Sequence, residues 1–415
     1  MPACGSTWRR PITMETQHSA PKIDARVVSI ALLAFVIGSI YLWQVVHGRQ
    51  AALFLVGGVL GVCLYHAAFG FTSAWRVLIS DRRGAGVRGQ MLMLAVACVL
   101  FFPVLGSGTP LLTETVRGNV NPLGLSVVVG AFLFGVGMQL GGGCASGTLF
   151  TVGGGNTRML VTLGGFIVGS TVGAAHAPWW QSLPALEAVS LVESFGPWVA
   201  LAISLTALGV VAVGTVVFER QRHGRRLSGP APVRRGLARL MSGPWPLVAG
   251  AVGLAAANFA TLALAGRPWG ITSGFALWGS KGAAMIGFDP ASWTYWLPPA
   301  RQASLDGSVL EHTTSVMNFG ILLGALMASG LAGRFNPSWS VSGRSLVAAV
   351  GGGLLLGYGA RLAYGCNIGA YFSGVASGSL HGWLWLVAAF AGSVMGTHLR
   401  PTFGMKVERT RLDVR

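Results

Sequence analysis

Two cysteines carry the chemistry that can be read first. Gly135, Gly137, Gly143, Cys144 and Gly147 return 222 positions later as Gly357, Gly359, Gly365, Cys366 and Gly369, so both segments read GxGxxxxxGCxxG. Nine of the 21 positions from 130 to 150 are identical in this register. A neutral thiol is a weak S–H donor that can serve an oxyanion or a soft terminal sulfur without reacting. An accessible thiolate would instead attack sulfur and carry it covalently. Zinc is disfavoured because neither cysteine has a nearby His or carboxylate in the sequence. A lone membrane cysteine would read as a small hydrophobe, but duplication in register favours a functional pair.

Other polar groups gather around the pair. Arg361 lies five residues before Cys366, inside an apolar run where a cation normally faces a partner, a cavity or an ion path. Its repeat counterpart is Gln139. Ser146, Thr148 and Asn367 are neutral donors beside the thiols, and Gly143 and Gly365 expose backbone next to them. If Ala145 and Asn367 begin short half-helices, their positive dipole ends would face an anion without placing a full counter-charge in lipid. A second correspondence pairs Phe69-Gly70-Phe71-Thr72-Ser73 with Trp269-Gly270-Ile271-Thr272-Ser273, which makes Gly70 and Gly270 candidate entrance residues. Lys281 is a further candidate for gathering anions at an entrance. Cys63 and Cys98 read as core, and Cys4 as part of a tail.

The elements that must hold these residues follow from composition. Of 415 residues 52% are hydrophobic and only 10% charged, with 62 Gly and 14 Trp, against about 25% charged in soluble proteins. This is an integral membrane protein. Ten apolar stretches of spanning length are expected near 27–46, 51–68, 90–106, 122–141, 158–175, 196–218, 245–266, 314–332, 345–365 and 380–396. The net charge of +17 does not mark a nucleic-acid binder, because the cations lie between the apolar runs. With both termini cytoplasmic, 23 of the 29 Lys and Arg fall on the cytoplasmic side. Arg49, Arg117, Arg267, Lys281 and Arg301 fall outside, and Arg361 falls within a span.

The fold class expected is an all-α membrane protein whose two halves are inverted repeats, each with a re-entrant loop containing a cysteine. Its parts are a tail and first helix (1–50), a first half with an extra helix (51–218), a basic linker (219–244) containing Gly229, Pro230 and Pro232, a second half (245–397) and a basic tail (398–415). Glycine runs without GxxxxGK[ST] exclude a nucleotide loop. Scattered histidines give no haem or metal site, and spans almost free of carboxylates exclude the usual proton-relay pairs. No cofactor or metal is expected; membrane lipid is the surrounding partner.

The segments GVGMQLGGGCASGTLF, GYGARLAYGCNIGAYFSG, GFTSAWRVLI and WGITSGFALWGSK resemble the YeeE/YedE family of membrane proteins that transport sulfur compounds, over about residues 51–400. The longer chain resembles the YedE branch, in which selenium compounds are a suspected substrate. The resemblance implies a bacterial inner-membrane importer of a small sulfur-containing anion, thiosulfate foremost, passed inward through a central constriction by cysteine thiols. Cys144 and Cys366 inherit that role, and a cytoplasmic sulfur-carrier protein is an implied partner. The family commonly has a cysteine where this chain has Gly70, with Cys63 seven residues earlier. The alternatives are a membrane sulfurtransferase component carrying a persulfide, or a transporter of a selenium compound or other anion.

Overall fold

The computed structural model describes residues 23–227, 236–337, 339 and 341–408. Cys4, Arg9, Arg10, Lys22, the linker residues Gly229, Pro230, Pro232, Arg234 and Arg235, and the tail cations Arg409, Arg411 and Arg415 lie outside the described residues. The first helices are α1 (Ala25–Val45), α2 (Gly48–His66), α3 (Phe71–Asp81), α4 (Ala85–Ser107), α5 (Leu125–Gly141), α6 (Ala145–Gly153), α7 (Thr157–Ala175), α8 (Ala177–Gln181) and α9 (Leu191–His223). They are followed by α10 (Gly236–Ser242), α11 (Leu247–Ala265), α12 (Thr272–Met285), α13 (Pro299–Asp306), α14 (Thr313–Ala332) and α15 (Gly343–Leu362). A π-helical segment (Asn367–Phe372), α16 (Ser373–Ala376) and α17 (Leu380–Leu399) complete the bundle. Among the described residues the sheet is limited to Leu123–Gly124 paired antiparallel with Ala185–Leu186.

Among the described residues ten segments are long and apolar enough to cross a membrane, one for each expected span. Their surroundings differ. In α1 only Ala31, Phe35 and Leu42 are buried, while Ile30, Leu32, Leu33 and Ile37 are each more than half exposed. A helix apolar all round with that much exposed aliphatic surface is suited to lipid rather than water. The kinked α9, with Gly196 at φ 74 followed by Pro197, is equally peripheral. By contrast, α5 is buried along most of its length, and α15 packs against both α5 and α7.

Glycine lets these central helices approach. A Cβ on Gly137 would lie 2.8 Å from the Gly352 carbonyl and 2.8 Å from the Leu356 nitrogen, so any larger residue would push α5 and α15 apart. The pairings come in exchanged sets: α7 packs on α15 as α17 packs on α5, and α2 packs on α14 as α11 packs on α4. The short segments after the two cysteines, α6 and Asn367–Phe372, touch each other in the interior.

Candidate functional site

Both cysteines end a long helix and open a short one. Cys144 is the N-cap of α6, with the Gly147 N–H donating to its Sγ at 3.4 Å and Ser146 Oγ also 3.4 Å away. Cys366 caps the π-helical segment, with the Ile368 N–H donating to its Sγ at 3.4 Å. A sulfur replaces the usual cap oxygen, so each thiol sits at the positive end of a short helix. Both are buried and free, Cys144 at 1% and Cys366 at 0% exposure. Ala145 and Asn367 begin the short helices, as expected from the sequence.

The turn into each cysteine needs a left-handed residue. In the first half Gly142 supplies it at φ 90; at the matching place in the second half stands Tyr364, at φ 57. Tyrosine there is a costly choice for the backbone, and its side chain lines a cavity.

That cavity, about 480 Å³, opens onto the Cys366 segment. Four arginines line it, Arg117, Arg267, Arg301 and Arg361, together with Gly270, Thr272, Tyr295 and Tyr364, and no carboxylate is among its lining residues. Its floor includes Gly365 and Gly369, on either side of Cys366 and Asn367. Arg361 donates to the Tyr295 hydroxyl at 2.7 Å and to Thr272 Oγ1. Arg301 lies over the Tyr295 ring at 4.4 Å, a cation–π contact that keeps a second guanidinium at the mouth. Burial and neighbouring Arg117 lower the pKa of Arg267, and burial with Arg267 and Arg361 pushes the His312 imidazole down to about 3. The local field is therefore strongly positive, and His312 is neutral beside it. Asn119 straps the floor, its amide donating to the Gly369 carbonyl at 2.6 Å.

A smaller pocket of about 240 Å³ lies at the other motif and is lined by Gly70, Ser73, Arg83, Gln90 and Glu219. Glu219 is paired with Arg88 at 2.7 Å. The repeat counterpart of Arg361 behaves in parallel here: Gln139 donates to the Thr72 carbonyl at 3.2 Å. Each pre-cysteine helix thus reaches a threonine of a TS motif, by a charged group in one half and a neutral one in the other.

Several expected residues come together, and some do not. Arg361, Gly365 and Gly270 share the large cavity, while Gly70 faces the small one. Cys144, Gly143 and Ser146 lie in the interior, where the Thr148 hydroxyl and both amide atoms of Asn367 are buried without a hydrogen-bond partner among the described residues. Lys281 is elsewhere: its ammonium donates to the carbonyls of Leu305 at 2.6 Å and Gly307 at 2.8 Å, tying α12 to the end of α13. Cys63 packs where α2 meets Gly253 of α11 and is not among the residues lining the Gly70 pocket. Cys98 is core, its thiol near the Val375 carbonyl. By sequence, Arg117, Arg267 and Arg301 fall on the cation-poor face but do not mark a site. Their scarcity on that face is the one signal they carry. Among the described residues no cluster of His, Cys, Asp and Glu could hold a metal.

Comparison with known proteins points to the same class. A family model described as sulphur transport matches residues 66–395. The thiosulfate transporter TsuA of Spirochaeta thermophila is 28% identical over 345 residues, 80% of this chain and 92% of that protein. TsuA of Escherichia coli is 25% identical over 81% of this chain and 91% of its own length. A probable transporter, YedE of Salmonella typhimurium, is 31% identical over 36% of this chain and 37% of its own.

Proposed function

The chain belongs to the sulphur-transport family, and from that premise we propose that it imports a small sulfur-containing oxyanion, thiosulfate foremost, through the bacterial inner membrane. The observation that carries this reading is the carboxylate-free, four-arginine cavity whose floor is the Cys366 turn. A dianion is drawn in by the converging guanidinium groups. It then exchanges water for the backbone of Gly365 and Gly369 and reaches Cys366 and, across the touching short helices, Cys144. Neutral thiols and the unpartnered Asn367 and Thr148 side chains donate weakly there, so the anion is held and passed on rather than trapped.

The exchanged helix pairings, α7–α15 with α17–α5 and α2–α14 with α11–α4, support two inverted halves with the cysteine loops re-entering from opposite faces. The cation distribution supports cytoplasmic termini and an outward-facing Gly270 cavity. Import of a dianion opposes an inside-negative potential by about 2.3 kcal/mol per charge per 100 mV. Consumption of the anion inside, for example by a cytoplasmic sulfur-carrier protein, would offset that cost. Complete burial of both thiols favours gating over the persulfide-carrying alternative, which requires a sulfur that a partner protein can reach.

The test is uptake of sulfur-labelled thiosulfate into cells lacking their own importers, with wild type, Cys144→Ala and Cys366→Ala at matched membrane abundance. Entry lost in both variants is the expected result. Entry of labelled sulfite or a selenium oxyanion alone would change the substrate. A persistent added sulfur on either cysteine by intact mass would favour the transferase.

A further inference from the structure

The path beyond the cysteines holds a second group of unsatisfied donors. In the π-helical turn that Cys366 caps, the Cys366 carbonyl accepts from both the Ala370 N–H at 2.9 Å and the Tyr371 N–H at 3.3 Å. The matching segment of the first half is an ordinary α-helix, with the Thr148 N–H on the Cys144 carbonyl at 2.7 Å. Single π turns within helical structure are enriched at functional sites.

The Tyr371 ring lies parallel to that of Trp385 from α17, 6.1 Å away at 5°. Trp75 of α3 touches both, at 6.2 and 6.4 Å, and donates its indole N–H to Gln90 Oε1 at 2.9 Å. That bond turns the Gln90 amide nitrogen away from Trp75, and Gln90 lines the Gly70 pocket. Among the described residues, three polar atoms of this cluster have no partner: the Tyr371 hydroxyl, Trp385 Nε1 and Gln90 Nε2. Their residues are 0%, 0% and 1% exposed. Burying such groups unpaired is costly, and each of the three is a donor that the acceptors of an oxyanion could satisfy.

We propose that Tyr371, Trp385 and Gln90 form a second, buried binding station for the transported oxyanion, on the Gly70 side of the cysteines. It deepens the transport reading and rests on it. The station is uncharged, unlike the four-arginine cavity, so it offers a foothold that does not retain the anion. The aromatic rings around it close the route to the Gly70 pocket until the anion supplies the missing acceptors.

The purified full chain in phospholipid vesicles, assayed for labelled thiosulfate uptake and for melting temperature, tests this with Tyr371→Phe and Trp385→Phe. Tyr371→Phe removes only a hydroxyl that has no partner, so it should melt at or above wild type. Its maximal uptake rate should fall about tenfold, with KM unchanged because the arginine cavity is untouched. Trp385→Phe should act in the same direction. A wild-type maximal rate in Tyr371→Phe would overturn the proposal, as would its failure to fold, since the hydroxyl would then be structurally satisfied. A wild type that takes up no labelled thiosulfate, sulfite or selenium oxyanion would remove the transport reading itself, an outcome distinct from loss in the variants alone.

Discussion

The two pockets beside the TS motifs are built from matching sequence and carry different electrostatics. At Trp269-Gly270-Ile271-Thr272-Ser273 the space is about 480 Å³ with four arginines and no acid; at Phe69-Gly70-Phe71-Thr72-Ser73 it is about 240 Å³ with Arg83 and the Arg88-paired Glu219. The pre-cysteine helices show the same contrast, with Arg361 on one side and Gln139 on the other. A transporter that captured its anion equally tightly on both faces would release it slowly. On the proposed transport reading, duplication would supply the path and the divergence of a few charges a direction for capture.

Breaking the comparison on the neutral side should have the largest effect on the fold. The Glu219 carboxylate is held by Arg88 and by the Leu227 N–H, and removing one member of a buried pair costs about 3 kcal/mol or more. Glu219→Ala should therefore lower the melting temperature markedly, and a melt equal to wild type would show that α9 does not brace this pocket.

Making the charged side resemble its counterpart comes next. Arg361→Gln reproduces Gln139 and removes a charge-assisted donor worth about 2 kcal/mol, so uptake efficiency should fall roughly thirtyfold, with Arg361→Lys recovering only part. Uptake unaffected by Arg361→Gln would mean that the asymmetry does not serve capture. At the mouth, Arg301→Gln should raise KM about threefold at low ionic strength, and the difference should shrink in about 0.5 M salt, because exposed charges are screened.

Tyr364→Asn sharpens the comparison by placing a left-handed-tolerant residue opposite Gly142. Relief of about 1 kcal/mol of backbone strain should offset lost packing, leaving the melt near wild type while sulfate competes better for the cavity. A lower melt with unchanged competition would assign the tyrosine a packing role only.

The smallest effect concerns His312, pushed down to about 3 by burial, Arg267 and Arg361, whereas an unfolded histidine titrates near about 6.5. The unfolded chain therefore takes the proton first. Stability should be full above about pH 6.5 and decline as pH falls towards 3. His312 caps α14 by accepting the Ser315 N–H. His312→Asn keeps a cap acceptor and should flatten that part of the pH profile, measured by denaturant unfolding.

Much of the site is legible in the residue pattern alone. Cys144, Cys366 and Arg361 stand out because a duplicated thiol and a cation inside an apolar run are each rare by composition. Lys281 resembles the vestibule arginines in sequence and differs from them in space, because its ammonium satisfies carbonyls at the end of α13. Tyr295, which holds Arg361 together with Thr272 of the repeated TS motif, carries no signal of its own, since a tyrosine is an ordinary residue until a guanidinium meets it.

Sequence by itself determined the membrane class, the ten apolar spans and the paired cysteine turns. Those depend on hydropathy over about 20 neighbouring residues and on repetition along the chain, both one-dimensional properties. Tertiary structure alone decided that Arg117, Arg267, Arg301 and Arg361, from four separate segments, meet beside the Cys366 turn and not the Cys144 turn. Electrostatic potential depends on distances between side chains in space, and those distances were set by glycine-permitted helix crossings such as Gly137 against Gly352.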